Sequence, residues 1–284
     1  MKFNIHALSH LSLRSLKAAR HVGLVAMEPF DYLLRAVKRK HGLPPLTLRR
    51  YVGPLRSFET SGAEFLGYLR EIVGLRPDEA ILDIGCGCGL MALQLNHFLN
   101  QKGRYVGVDI HDPSIKWCVK NIAAHHDNFE FARVNVRNAI FNPQGKPAAE
   151  ICFPYEDNTF DVALVKSVFT HMRAPEIDKY LSEIARLMTD RGRCLATFFL
   201  LNQEQAELKQ QGLNQIRFDY GDDVSHYAYQ NSPESAIAYR ESYVMELLAK
   251  HRLMLMRPVM YGTWSGLSDG LSFQDMLLIQ RRSD

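Results

Sequence analysis

No run of eighteen apolar residues occurs in the 284-residue chain, so no stretch reads as a membrane-spanning helix. The opening residues MKFNIHALSHLSLRSLKAARHVGLVAM are interrupted too often by His, Ser, Arg and Lys to form the apolar centre of a secretory signal, and no small-residue cleavage pattern follows them. Cysteine is sparse. The five present (Cys86, Cys88, Cys118, Cys152 and Cys194) are odd in number and never form a Cys-x-x-Cys pair. That excludes a disulfide framework and fits reduced thiols in the cytoplasm. A zinc centre on Cys86 and Cys88 would need further ligands, and only His97 is near in sequence, so two small side chains packed under a tight turn is the simpler reading. The chain also lacks a compact Asp/Asn cluster suited to a divalent ion, and no metal is expected. Internal repeats and low-complexity runs are absent too.

Charge is small in sum and uneven in place. The net +3 divides into +8 over residues 1–50, where ten Lys and Arg face only Glu28 and Asp31, and −5 over the rest. Clustered Lys and Arg suit an anionic surface, RNA or an acidic glycan, although a solvated helical face is the commoner origin of such a run. Apolar residues at helical spacing over 5–40 (Leu8, Leu11, Leu13 and Leu16, then Leu24, Val25, Phe30, Leu33, Leu34 and Val37) predict two amphipathic helices before the turn GLPP at 42–45. Together they would form a helical cap or extension over residues 1–60.

From residue 61 onward the pattern changes. A helix near 62–73 leads through Pro77-Asp78 into strand 80–84, then helix 89–100, strand 104–109, helix 113–124 and strand 129–135. Strand 160–167, helix 175–188 and strand 193–201 follow. Alternation of this kind predicts an α/β fold, a doubly wound, mostly parallel sheet covered on both faces. A polar connection over 202–231, a helix over 233–251 and strands at LMLMRPVMY and SFQDMLLIQ complete the chain. The last two suit a C-terminal antiparallel hairpin, with Pro258 placing the first of them at the sheet edge.

The first strand breaks into the loop ILDIGCGCGL, with glycine at 85, 87 and 89. Glycine accepts positive φ and has no Cβ, which lets a ligand approach the backbone. A dinucleotide loop would carry glycine where this chain has Leu90. LDIGCGCG, the acid ending VGVD, and FDVALVKSVFTHM resemble the class I S-adenosylmethionine-dependent methyltransferases over roughly residues 60–201.

That resemblance implies a seven-stranded sheet and S-adenosylmethionine as cofactor. It further implies that Asp83, Gly85, Gly87 and Gly89 hold the methionyl part, and that Asp109 accepts both ribose hydroxyls, as two carboxylate oxygens can. Asn135 and Val136 would border the adenine. At Asn135 the family commonly has Asp, and the Asn carbonyl can still accept the adenine N–H.

In a doubly wound sheet the ligand lies beyond the carboxyl ends of the parallel strands, which brings Lys166, Ser167, Thr170 and His171 to it. Lys166 would border the cofactor. His171 is the candidate general base, since imidazole titrates near neutrality, and a structural role at the helix entry stands beside that reading. Asp275 on the last strand is a second candidate, against the alternative of a hydrogen-bonded structural acid.

Residues 202–231, with Phe218, Tyr220, His226, Tyr227 and Tyr229 among acids, would form an acceptor lid suited to a sugar or polyhydroxylated ring, or simply a packed cover. The expected activity is methyl transfer to a small molecule or saccharide, at a hydroxyl oxygen. Nucleic-acid amino methylation is disfavoured because KSVF stands where those enzymes carry Asn/Asp-Pro-Pro-Tyr/Phe. Recruitment of RNA or protein through the basic residues 1–50, peripheral contact with an anionic surface there, and a non-catalytic scaffold are the alternatives.

Overall fold

A computed structural model describes residues 13–38, 42–53, 55–139 and 141–282. The described residues fall into two compact units that divide between Ser61 and Gly62.

In the first unit, α1 spans Leu13–Val37 and α2 spans Leu46–Arg49. The two helices expected over 5–40 are therefore one across its described part, running through Pro29. Proline removes one hydrogen bond from a helix without necessarily ending it, and the apolar spacing continues beyond it. Leu8 and Leu11 of the expected first helix, and the basic Lys2, Arg39 and Lys40, lie outside the described residues. Helix α3, Phe58–Glu71, crosses the division.

The second unit carries strands β1 (Ala80–Ile84), β2 (Arg104–Asp109), β3 (Phe129–Arg133), β4 (Phe160–Val165), β5 (Met188–Phe198), β6 (Leu200–Leu201), β7 (Tyr220–Gly221), β8 (Ser225–Tyr227), β9 (Ile237–Arg240), β10 (Leu253–Leu255) and β11 (Asp275–Arg281). Its further helices are α4 (Ala92–Leu95), α5 (Asp112–Asn121), α6 (Ala174–Leu187), α7 (Gln203–Gln210) and α8 (Glu241–Lys250). Seven strands form one sheet in the order β10-β11-β5-β4-β1-β2-β3. Strands β1 to β5 pair in parallel, while β11 runs antiparallel between β5 and β10.

The central strands read as nearly continuous apolar runs because both faces of a parallel sheet are covered. Side-chain alternation puts Leu82, Ile84, Val106 and Val108 into the core built with Ile177, Leu181 and Ile184 of α6 and Val244 and Leu248 of α8. It turns Ile81, Asp83 and Tyr105 to the other face, where they are equally buried. Strand β10 lies at the sheet edge as expected, and it ends before Pro258, which therefore removes nothing from the ladder.

Residues 202–231 are not a bare connection. They contain α7, β7 and β8, and the two strands join β6 and β9 in a small four-stranded sheet ordered β6-β9-β8-β7. Phe218 packs on Phe199 and Trp264, with ring centroids 5.3 and 5.4 Å away, in a second small core. Buried there, it offers no face to an acceptor. Among the described residues no helix is long and apolar enough to cross a membrane.

Candidate functional site

The strand order changes direction between β1 and β4, and ligands of doubly wound sheets bind at such a switch point, beyond the carboxyl ends of the strands. A pocket opens at that edge. Its wall includes Ile84 and Gly85 at the end of β1, Asp109 and Ile110 at the end of β2, Val134 and Val136 after β3, and Ser167, Val168 and His171 after β4. Of the residues singled out from sequence, Gly85, Asp109, Val136, Ser167 and His171 thus share one wall. Asp83, Gly87, Gly89, Asn135, Lys166 and Asp275 are not part of it.

The glycine loop is shaped from within. Gly85, Gly87 and Gly89 all adopt positive φ (80°, 55° and 83°). A Cβ on Gly85 would stand 2.2 Å from Cγ2 of Val168, and one on Gly89 would stand 2.7 Å from Cδ1 of Ile122. The side chains are therefore missing at these two positions because neighbouring segments fill the space. The loop's donors are engaged as well: Gly85 and Cys86 donate to the Val108 carbonyl, Gly89 to that of Cys86, and Gly87 to Asp109. Cys86 and Cys88 are buried beneath the turn, as the simple packing reading expects. Burial holds the Cys86 thiol well above its ordinary range.

What the loop orients is a carboxylate. Asp109 accepts from the Gly87 N–H through Oδ2 at 2.8 Å and from the His111 N–H through Oδ1 at 2.7 Å. Each oxygen keeps a further lone pair, enough for a vicinal diol. Burial raises the Asp109 pKa, opposed chiefly by the His111 and Gly87 N–H groups.

Asp83 and Lys166 form a separate cluster on the other face. Tyr105 donates to Asp83 Oδ2 at 2.5 Å, and burial pushes the Asp83 carboxyl up to about 7, opposed by the Tyr105 hydrogen bond and the Lys166 charge. The Lys166 ammonium lies 4.6 Å from the centre of the Phe65 ring. Burial lowers its pKa, while Asp83 and Glu64 oppose the shift.

His171 lines the pocket, with Nδ1 2.9 Å from the Glu234 carbonyl oxygen. A carbonyl only accepts, so Nδ1 carries the proton and Nε2 the lone pair. Burial lowers the imidazole pKa from 6.5, opposed by the Glu234 contact. Ser167 holds φ at +56°, an uncommon conformation for a residue with a side chain. Its N–H donates to Thr197 Oγ1 and its hydroxyl to Gln274 Oε1, both at 2.8 Å.

Two expected groups are differently engaged. Asn135 is exposed, and its side-chain carbonyl accepts from Asn142 Nδ2 at 3.1 Å, while the neighbouring Val136 lines the pocket. Asp275 is fully buried and accepts three hydrogen bonds, from Leu200 N and Trp264 Nε1 on Oδ2 and from Gly262 N on Oδ1. Sequence reasoning missed Ile110, Asn138, Phe141, Phe153, Glu176 and Tyr180 in the wall. Ile110 could have been found from its place directly after Asp109; the others come from segments with no local signal.

A family model described as a methyltransferase domain matches residues 75–250. Over 136 residues, 48% of this chain, the sequence is 29% identical to a protein named sterol 24-C-methyltransferase from Schizosaccharomyces pombe, covering 32% of that protein. It is 31% identical over 123 residues, 43% of this chain, to a protein named ubiquinone/menaquinone biosynthesis C-methyltransferase from Wigglesworthia glossinidia brevipalpis, covering 44% of it. The chain thus spans less than half the length of either curated relative. A structure described as a SAM dependent methyltransferase from Aquifex aeolicus shares the fold at a TM-score of 0.51 and 16% identity, with 84% of this chain and 97% of that one covered.

Proposed function

From the premise that this chain belongs to the class I S-adenosylmethionine-dependent methyltransferase family, we propose that it transfers the methyl group of S-adenosylmethionine to a small-molecule acceptor, at a hydroxyl oxygen of a ring or saccharide. The observation that carries the reading is Asp109, held in the pocket wall by two backbone N–H groups with acceptor capacity to spare.

The bound cofactor supplies a methyl group on a sulfonium sulfur, and the residues present fit it. Asp109 accepts the ribose hydroxyls. Ile110 and Val136 offer apolar surface to the adenine. Lys166, partly buried beside Asp83, supplies positive charge for the methionyl carboxylate, and the glycine loop fixes the turn that aims Asp109. His171 presents a neutral Nε2 that can take the proton of an acceptor hydroxyl. Asp275, fully buried and held by three donors, ties the segments around Leu200, Gly262 and Trp264 together. Residues 202–231 carry Tyr220 and Tyr229, both exposed, as acceptor-facing groups of a lid.

Titration calorimetry with S-adenosylhomocysteine, against NAD and with Asp109→Ala, tests the cofactor. Selective binding that the substitution weakens on the order of a hundredfold is the expected result, and binding of NAD instead overturns it. A screen of acceptors with labelled methyl donor follows. The two curated relatives are named for transfer to carbon, and that favours a second reading, methylation of a carbon on a lipophilic acceptor. The carbon chemical shift of the transferred methyl separates an ether from a carbon-bound product.

A further inference from the structure

Helix α1 has its sides reversed relative to an ordinary surface helix. Val22, Ala26, Phe30, Leu33, Leu34 and Val37 recur at steps that bring them to one side, and all six are exposed. Phe30, Leu33 and Val37 are 62%, 59% and 74% exposed. The polar side is the one the first unit uses to hold itself together. Glu28 Oε1 accepts from Thr47 N and Oγ1 at 2.8 and 2.9 Å. Asp31 pairs with Arg35 at 2.7 Å and with Arg49 at 2.5 Å, and Arg35 also donates to the Leu43 carbonyl at 2.6 Å. The charges point towards residues 43–49, and the apolar stripe is left outside. A run of exposed apolar residues along one side of a helix suits a docking surface.

Charge selects the occupant. In sequence, Arg14, Lys17 and Arg20 precede the stripe and Lys38, Arg39 and Lys40 follow it, within a segment of net charge +8. A second copy of the same face would bring like charges together, and a nucleic acid would leave Phe30 and Leu33 against phosphate. We propose that α1 lies flat on an anionic lipid surface, with Phe30, Leu33 and Val37 entering the acyl boundary and the flanking Lys and Arg meeting phosphate headgroups. Interfacial helices bind by this pairing of apolar face and basic flanks. Glu28, Asp31 and Arg35 in mid-helix keep it in the plane of the surface. The inference does not depend on methyl transfer, since binding is read without turnover.

The experiment is flotation of the full chain with phosphatidylcholine vesicles, with and without phosphatidylglycerol, at low and high salt. Expected is flotation with the anionic vesicles alone, reversed by salt. Phe30→Asp/Leu33→Asp should reduce the bound fraction on the order of tenfold or more while leaving the circular dichroism spectrum and S-adenosylhomocysteine affinity unchanged. Lys17→Glu/Arg20→Glu/Lys38→Glu should weaken it without touching the apolar face. Equal flotation with uncharged vesicles overturns the proposal, as does flotation that survives Phe30→Asp/Leu33→Asp. Failure to float, with a dimer in sedimentation that the same pair dissociates, gives the face to a second copy. Failure to float as a monomer, with α1 protected from protease, gives it to the rest of this chain.

Discussion

The backbone N–H of Gly87 donates to Oδ2 of Asp109 at 2.8 Å, tying the turn after β1 to the acid that ends β2. The glycine loop therefore acts on the pocket through a carboxylate, which it aims, more than through its own amides, most of which are engaged within the protein. Asp109→Ala removes the diol acceptor and the anchor of the loop together. S-adenosylhomocysteine affinity should fall on the order of a hundredfold, the size expected for two hydrogen bonds to a charged acceptor, as calorimetry would show.

Gly85→Ala meets two obstacles, a φ of +80° and Cγ2 of Val168. Destabilisation of roughly 2 kcal/mol or more is expected in urea unfolding. Pairing it with Val168→Ala should return part of that loss, because the second change removes the clash and leaves the backbone strain. Additive losses in the double variant would show that the two positions do not share the space.

A neutral, half-buried His171 sets a direction for the pH profile. Its pKa lies below 6.5, so as a base it is competent above that and lost as pH falls through it. The rate should rise with pH on the acid side and level off near neutrality. His171→Gln should lower kcat by about a hundredfold or more, with KM little changed and the acid limb gone. An acid limb that persists in the variant assigns His171 to positioning the helix entry.

Asp83 titrates near 7 in the folded protein and, with the ordinary carboxyl value of 3.8, when unfolded. Between those values the native state binds more protons, so the stability this group contributes is full below about 3.8 and is lost as pH rises to about 7. Urea unfolding across that window should show wild type losing stability relative to Asp83→Asn as pH rises, by at most about 1.4 kcal/mol per pH unit. A difference that stays constant with pH would mean that Asp83 is ionised throughout.

Asp275→Ala would strand three buried donors, Leu200 N, Gly262 N and Trp264 Nε1. At about 1–3 kcal/mol for each, a fall in Tm of roughly 10 °C is expected, with kcat per folded molecule unchanged. Lost kcat at unchanged Tm would make the residue catalytic.

The sheet was legible where strands are buried on both faces. AILDI and RYVGVD are apolar runs closed by turns, and they match β1 and β2 residue for residue. Helix α4 is far shorter than the expected 89–100, because after Asn96 the chain is drawn away and Asn100 N donates to the Pro77 carbonyl. Residues 237–240 were read into a helix, yet they form β9, whose partners β6 and β8 come from elsewhere in the chain. Of the pocket wall, Gly85, Asp109, Val136, Ser167 and His171 were named from the sequence. Phe153, Glu176 and Tyr180 reach the pocket only through packing of distant segments, which leaves no periodic trace.

The contact of Gly85 with Val168 also constrains descent. Position 85 cannot gain a side chain while position 168 is branched, so the two sites should drift as a pair: lineages that carry alanine at the first should carry a residue smaller than valine at the second. Eighty-three residues apart in the chain, they compete for one space.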